Sequence, residues 1–190
     1  MPSWSTLFIV LLQFFHHPSF AFSSVSKELN PAVPIKTDIV ARVVEVKDGD
    51  SIFVFSKELG RFEIRMANID APETSKKSGL PGQPFSQAAL RNLSKLILAR
   101  DVSINCSKSA DYYQRGPVCS VMHDGTDINL AQIQAGLAWA DHYASPPEYK
   151  TAMRMAQESK KGIWSDANPV EPWNWRKHCW KEQKYCPNAE

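Results

Sequence analysis

The 190-residue chain has no C-x-x-C pair, no Asp, Glu, Lys or Arg before Lys27, and no internal repeat or low-complexity tract. Its charge is nearly balanced, with a net +2 and a pI near 8.3. So small an excess does not by itself point to nucleic acid. Without C-x-x-C, and with His178 as the one histidine near the C-terminal cysteines, the sequence argues against a zinc site. The uncharged start contains an apolar run, Leu7 to Phe15, too short to span a bilayer comfortably. Ser19-Phe20-Ala21 puts small residues at the −3 and −1 positions of a cleavage site. Residues 1–21 therefore read as a secretory signal peptide, with an uncleaved signal anchor as the alternative.

What is present is an ordinary globular composition, 43% apolar and 22% charged, enough for one domain and a modest extension. Cys106, Cys119, Cys179 and Cys186 form an even set in the mature part, which agrees with export to an oxidising compartment, periplasm or medium. Four cysteines allow three connectivities. The sequence-local pairing, Cys106–Cys119 and Cys179–Cys186, is the expected one. The first bond would cross-link two strands and contribute about 3 kcal/mol in the chain-entropy description.

Residues 22–37, polar and carrying Pro31 and Pro34, read as a linker before a domain over 38–165. Strands are expected at Ile39 to Val46, Ser51 to Phe55, Phe62 to Ile69, Val102 to Cys106 and Val118 to Met122, with Asp48-Gly49, Glu58-Leu59-Gly60 and Asp124-Gly125 as turns. A helix is expected at about 84–99, because Ala89, Leu93, Leu96 and Ile97 share one face. A short helix should run from Ile128 to Ala135. A third follows Ser145-Pro146-Pro147-Glu148, which reads as a capping box, and ends at Lys160-Lys161-Gly162. Three strands, a helix, two strands and two helices make an α+β fold: a five-stranded OB-fold β-barrel with three helices. In the extension, 166–190, Trp173, Trp175, Trp180 and Tyr185 alternate with Arg176, Lys177, Lys181 and Lys184. The tryptophans are expected to pack back on the barrel with the cations solvated and Cys179–Cys186 pinning the end. A nucleic-acid-binding arm is the alternative.

Three segments carry chemistry: Asp48-Gly49-Asp50 in a turn; Arg65 with Asp70-Ala71-Pro72-Glu73; and Asp111-Tyr112-Tyr113-Gln114-Arg115. Arg65 and Asp70 lie five positions apart and would face opposite ways in a regular strand, so a twist or bulge is needed to aim both into one site. Ser75 to Gln83, with Lys76 and Lys77, reads as a basic loop.

In this order and spacing the segments resemble the staphylococcal-nuclease-like (thermonuclease) family, over roughly Ile39 to Trp164, including Asn129, Ala135-Gly136-Leu137-Ala138 and Gly162-Ile163-Trp164. The resemblance implies a secreted or periplasmic, monomeric, Ca²⁺-dependent nuclease. It would hydrolyse DNA and RNA to 3′-phosphate products, with no stable protein partner and no membrane attachment once the signal is removed. Asp50 and Asp70 match carboxylate metal ligands, and Ala71 a backbone-carbonyl ligand, as a hard dication wants. Glu73 matches the residue that activates water. Arg65 and Arg115 match the phosphate-holding arginines, whose planar forks suit phosphate. Tyr113, His142, Tyr143, Lys76 and Lys77 are the candidate substrate contacts. Asp48 reads first as a turn residue, and Asp111 as a cap or a partner for Arg115. The sequence departs from the family pattern at Gln114, where glycine is usual, at Asp141 after Trp139-Ala140, and in its cysteines and tail. The competing reading is a catalytically inactive OB-fold binding or interaction module, which would be expected to have lost one or more of Asp50, Arg65, Asp70, Glu73 and Arg115. All five are present.

Overall fold

The structure, a computed structural model, describes residues 38–110, 116–142 and 145–190, without the side chains of 107–110. The leader and linker lie outside the described residues, as do Asp111, Tyr113, Gln114, Arg115 and Tyr143.

Strands β1 (Ile39–Val46), β2 (Ser51–Ser56) and β3 (Gly60–Met66) form an antiparallel meander. A two-residue strand, β4 (Ile69–Asp70), and helix α1 (Ser86–Ile97) come next, before β5 (Asp101–Ala110) and β6 (Pro117–His123). β5 pairs with both β1 and β6, and β6 closes the barrel by running parallel to β3 at Arg65–Val118 and Met66–Cys119. The barrel is thus the expected one of five strands, in an α+β fold. Its interior follows the two-residue period of a strand: Ala41 and Val43, Ile52 and Val54, Phe62, Ile64 and Met66, Val102 and Ile104 are buried, while Val40, Val44 and Phe55 face outward. Cys106 and Cys119 stand opposite each other on β5 and β6 and are disulfide-bonded, as is the pair Cys179–Cys186.

After the short strand β7 (Thr126–Asp127), α2 (Ile128–Gln134) starts on an Asp127 cap and covers one end of the barrel. Buried Asn129 donates to the carbonyls of Ala67 and Cys119 and accepts from the Val121 N–H, tying the β3 end to β6. β8 (Trp139–Ala140) pairs with β4, and α3 (Pro147–Glu158) follows. A 3₁₀ turn spans Gly162–Ser165, and α4 (Pro172–Trp175) runs directly into a π-helical turn at Arg176–Lys181.

Four details differ from the sequence expectations. The third strand does not continue to Ile69. It ends at Met66, and Asn68 takes a left-handed conformation (φ 63°) before the chain re-enters a different sheet as β4. Asn tolerates that region better than most residues. Ser145 is not a helix cap: its hydroxyl donates to the Asn68 carbonyl, and Pro146 holds the cap position without a side-chain bond. α3 stops at Glu158, because Lys160 already turns left-handed (φ 49°). The first helix is also shorter than 84–99. Left-handed Phe85 precedes it, and the Glu190 carboxylate takes up the Phe85 and Gln87 N–H groups and the Ser86 hydroxyl.

Candidate active site

The Asp48-Gly49-Asp50 turn is packed against the chain leaving β4 and against α1. A Cβ built on Gly49 would stand 2.6 Å from the Ala71 Cβ and 2.7 Å from the Ala89 Cβ, so only glycine lets these segments meet. Buried Gln132 of α2 fixes the same turn by donating to the Gly49 and Ala89 carbonyls.

This packing brings Asp50 beside Asp70. Asp50 Oδ2 accepts the Ala71 N–H at 2.8 Å, and Oδ1 accepts the Ser51 hydroxyl at 3.0 Å. From β3, the Arg65 Nη2 atom lies 3.5 Å from Asp50 Oδ2 and 3.0 Å from Asp70 Oδ1. Two carboxylates therefore converge on one point. The kink at Asn68 is the device that turns Asp70 to the side of Arg65. Glu73 joins them, its backbone locked by Gln83, which donates its N–H to the Glu73 carbonyl (2.7 Å) and accepts the Glu73 N–H on its side chain (3.2 Å). Lys76 Nζ lies 3.3 Å from Glu73 Oε2. Asp48, Asp50, Arg65, Glu73, Lys76 and Trp180 all line the cleft above this cluster.

The electrostatics are those of crowded, buried acids. Burial and then the Asp50 charge push Asp48 up from 3.8 to about 7. Burial works to raise Asp50 as well, but the Arg65 charge and the Ala71 N–H outweigh it and hold this carboxyl below its ordinary range. Asp70 is pushed up by burial against the hydrogen bonds and charges of Arg176 and Arg65. Asp50 in turn raises the Arg65 guanidinium. Among the described residues, no group of three or more His, Cys, Asp or Glu side chains forms a ready metal cage. The converging Asp50 and Asp70 carboxylates beside Ala71 are still hard-oxygen donors. They fit a dication whose remaining ligands are water.

Asp50, Arg65, Asp70, Ala71, Glu73 and Lys76 thus stand together. Lys77 and His142 are exposed, and neither belongs to the cleft lining. Arg115, Tyr113 and Tyr143 lie outside the described residues. The tail departs from expectation. Trp175 is fully buried, but the neighbouring Arg176 is not solvated: it sits on the carboxylates of Asp70 and Glu73. Sequence reasoning also missed Gln83 and Gln132, polar residues whose buried roles no local pattern marks. For Arg176 the one available signal was its place beside a tryptophan able to anchor it.

A sequence model of the family described as staphylococcal nuclease homologue matches residues 63–166, more than half of the chain. The chain belongs to the staphylococcal nuclease family. Curated relatives agree. An uncharacterized endonuclease of Haemophilus influenzae is 36% identical over 137 residues, 72% of this chain and 72% of that protein. An uncharacterized endonuclease of Escherichia coli is 34% identical over 145 residues, 73% of this chain and 86% of its own length. A protein of Shigella flexneri named micrococcal nuclease is 33% identical over 157 residues, 77% and 85% of the two chains. The match to the family ends before the tail that carries Arg176.

Proposed function

We propose that this family member is a secreted or periplasmic, Ca²⁺-dependent nuclease that hydrolyses phosphodiester bonds of DNA and RNA, leaving 3′-phosphate ends. The observation that carries the reading is the convergence of Asp50, Arg65 and Glu73 on one cleft, with Asp70 joined to them through Arg65. Export is supported by the signal-like leader and the two disulfides.

Asp50, Asp70 and the Ala71 carbonyl would hold the cation. When bound, Ca²⁺ supplies charge that polarises a phosphoryl oxygen and orients water. Arg65, fixed from β3, holds the scissile phosphate through its planar fork and stabilises the charge that grows on the equatorial oxygens. Arg115 supplies the second fork. Glu73 takes a proton from the attacking water, its backbone held in place by Gln83. Lys76 sits at the cleft where a neighbouring phosphate would lie, and Lys77, Tyr113, His142 and Tyr143 are the outlying substrate contacts.

Incubation of the purified protein with plasmid DNA and with RNA, in Ca²⁺ or in excess chelator, tests this reading. Cleavage that stops in chelator and returns with Ca²⁺ is expected. Undiminished cleavage in chelator would remove the metal from the mechanism, and no cleavage under any condition would leave a binding module.

A further inference from the structure

The tail's guanidinium grips Asp70, one of the residues that the proposed function assigns to the cation. Arg176 Nη1 donates to Asp70 Oδ1 at 3.0 Å and Nη2 donates to Asp70 Oδ2 at 2.8 Å, a two-pronged grip on one carboxylate. Nη1 also donates to Glu73 Oε1 at 2.6 Å. With Arg65 on Asp70 Oδ1, both oxygens of Asp70 already carry cationic donors. A carboxylate has about four lone-pair positions, so little of Asp70 is left for a metal.

Arg176 is held there from both sides. Trp175, immediately before it, is fully buried. Four residues later, the Trp180 indole N–H donates to the Pro81 carbonyl at 2.8 Å, and its ring lies 5.2 Å from the Lys76 ammonium. Cys179 is bonded to Cys186. Upstream, Gln83, the residue that locks the Glu73 backbone, also donates to the Val170 carbonyl. The tail is therefore built onto the same loop that positions Glu73, and its register delivers a guanidinium to Asp70.

We infer that Arg176 is an internal counter-ion of the metal site, which holds Asp70 and Glu73 in the metal-free protein and which a divalent cation must displace from Asp70 in order to bind. The inference rests on the metal site proposed above. It makes Arg176 a positioning residue that lowers the site's apparent affinity for the cation. In the metal-free protein it keeps two buried carboxylates neutralised and aimed. A buried charge without a partner is costly, which accounts for an arginine at this place.

Calorimetric titration of the full chain with Ca²⁺ alone tests it on wild type, Arg176→Gln and Arg176→Lys. Arg176→Gln should bind Ca²⁺ about ten-fold tighter or more, the least expected from freeing a charge-assisted hydrogen bond. Arg176→Lys should fall between the two, because an ammonium cannot span both Asp70 oxygens and Glu73. Equal or weaker binding by folded Arg176→Gln, beside measurable binding by wild type, overturns the inference and leaves the metal site standing. Absence of Ca²⁺ binding in wild type and both variants overturns the metal site and the inference together. If Arg176→Gln does not fold, NMR of ¹⁵N-arginine-labelled wild type decides: proton exchange at the Arg176 guanidinium should accelerate as Ca²⁺ saturates. An unchanged Arg176 signal at saturation overturns the inference.

Discussion

Residues 48–73 and residues 166–190 meet at the carboxylate of Asp70 but reach it by different physics. Asp50, Arg65 and Asp70 are placed by strand register, a tight turn and one left-handed residue, all within a short stretch of chain. Arg176 arrives from a segment more than a hundred positions away, placed by the burial of Trp175 and by contacts to Pro81 and Gln83. Local placement leaves a pattern in the sequence. Long-range placement leaves only composition, here tryptophans interleaved with cations.

The sharpest way to separate the two regions is Arg65→Lys. It keeps the charge but loses the fork, and should lower kcat by about a thousand-fold or more while the protein stays folded, as measured by single-turnover cleavage. Near-normal turnover would place Arg65 outside the reaction.

The tail should register first in stability. Trp175→Ala removes a fully buried indole and should cost about 3–5 kcal/mol in denaturant unfolding. Truncation after Trp164 should likewise lower the melting temperature. If either change left stability intact, the tail would be an appendage and its grip on Asp70 incidental.

How much of this was legible beforehand follows the same division. The five strands and the two cysteine pairs could be read because runs of strand-forming residues between turn signals and an even, paired spacing are local signals. Asp50, Arg65, Asp70 and Glu73 stood out because acids and an arginine beside turn residues form a recognisable pattern. The break at Asn68 was hidden: Arg65 to Ile69 is a plausible strand continuation, and only pairing of β4 with β8, seventy positions away, decides against it. Ser145 misled for a related reason. It has cap chemistry at cap spacing, yet the Asn68 carbonyl claims its hydroxyl. Gln83 and Gln132 are polar residues in the interior, and the backbone groups they hold are ones that no sequence pattern names.

A smaller effect tests the turn that joins the two carboxylates. Gly49→Ala forces a Cβ against Ala71 and Ala89, and should destabilise by about 1–3 kcal/mol. It should also weaken Ca²⁺ binding, since Asp50 and Ala71 can no longer meet. Unchanged unfolding and Ca²⁺ titration would show that the close approach is dispensable.

Asp48 gives the smallest effect and tests whether the acids are crowded as described. Its carboxyl is raised from 3.8 to about 7, so the native state holds a proton that the unfolded chain has released. The stability linked to it is fully present below pH 3.8 and is lost as pH rises through 7. In metal-free protein its contribution should fall between pH 4 and 7, by at most about 1.4 kcal/mol per pH unit. Asp48→Asn, which keeps an acceptor for the Asp50 N–H, should flatten that slope in urea titrations at several pH values. An unaltered slope would mean that Asp48 is not the group responsible.

The central claim is that the barrel's converging carboxylates make a metal-dependent phosphodiesterase site. Its most direct test is the rate of plasmid cleavage at saturating Ca²⁺ by wild type and Asp70→Asn, each verified as folded by circular dichroism. The account predicts cleavage by wild type that chelator abolishes, and a rate about a thousand-fold or more lower for Asp70→Asn. Equal rates for the two proteins would contradict it.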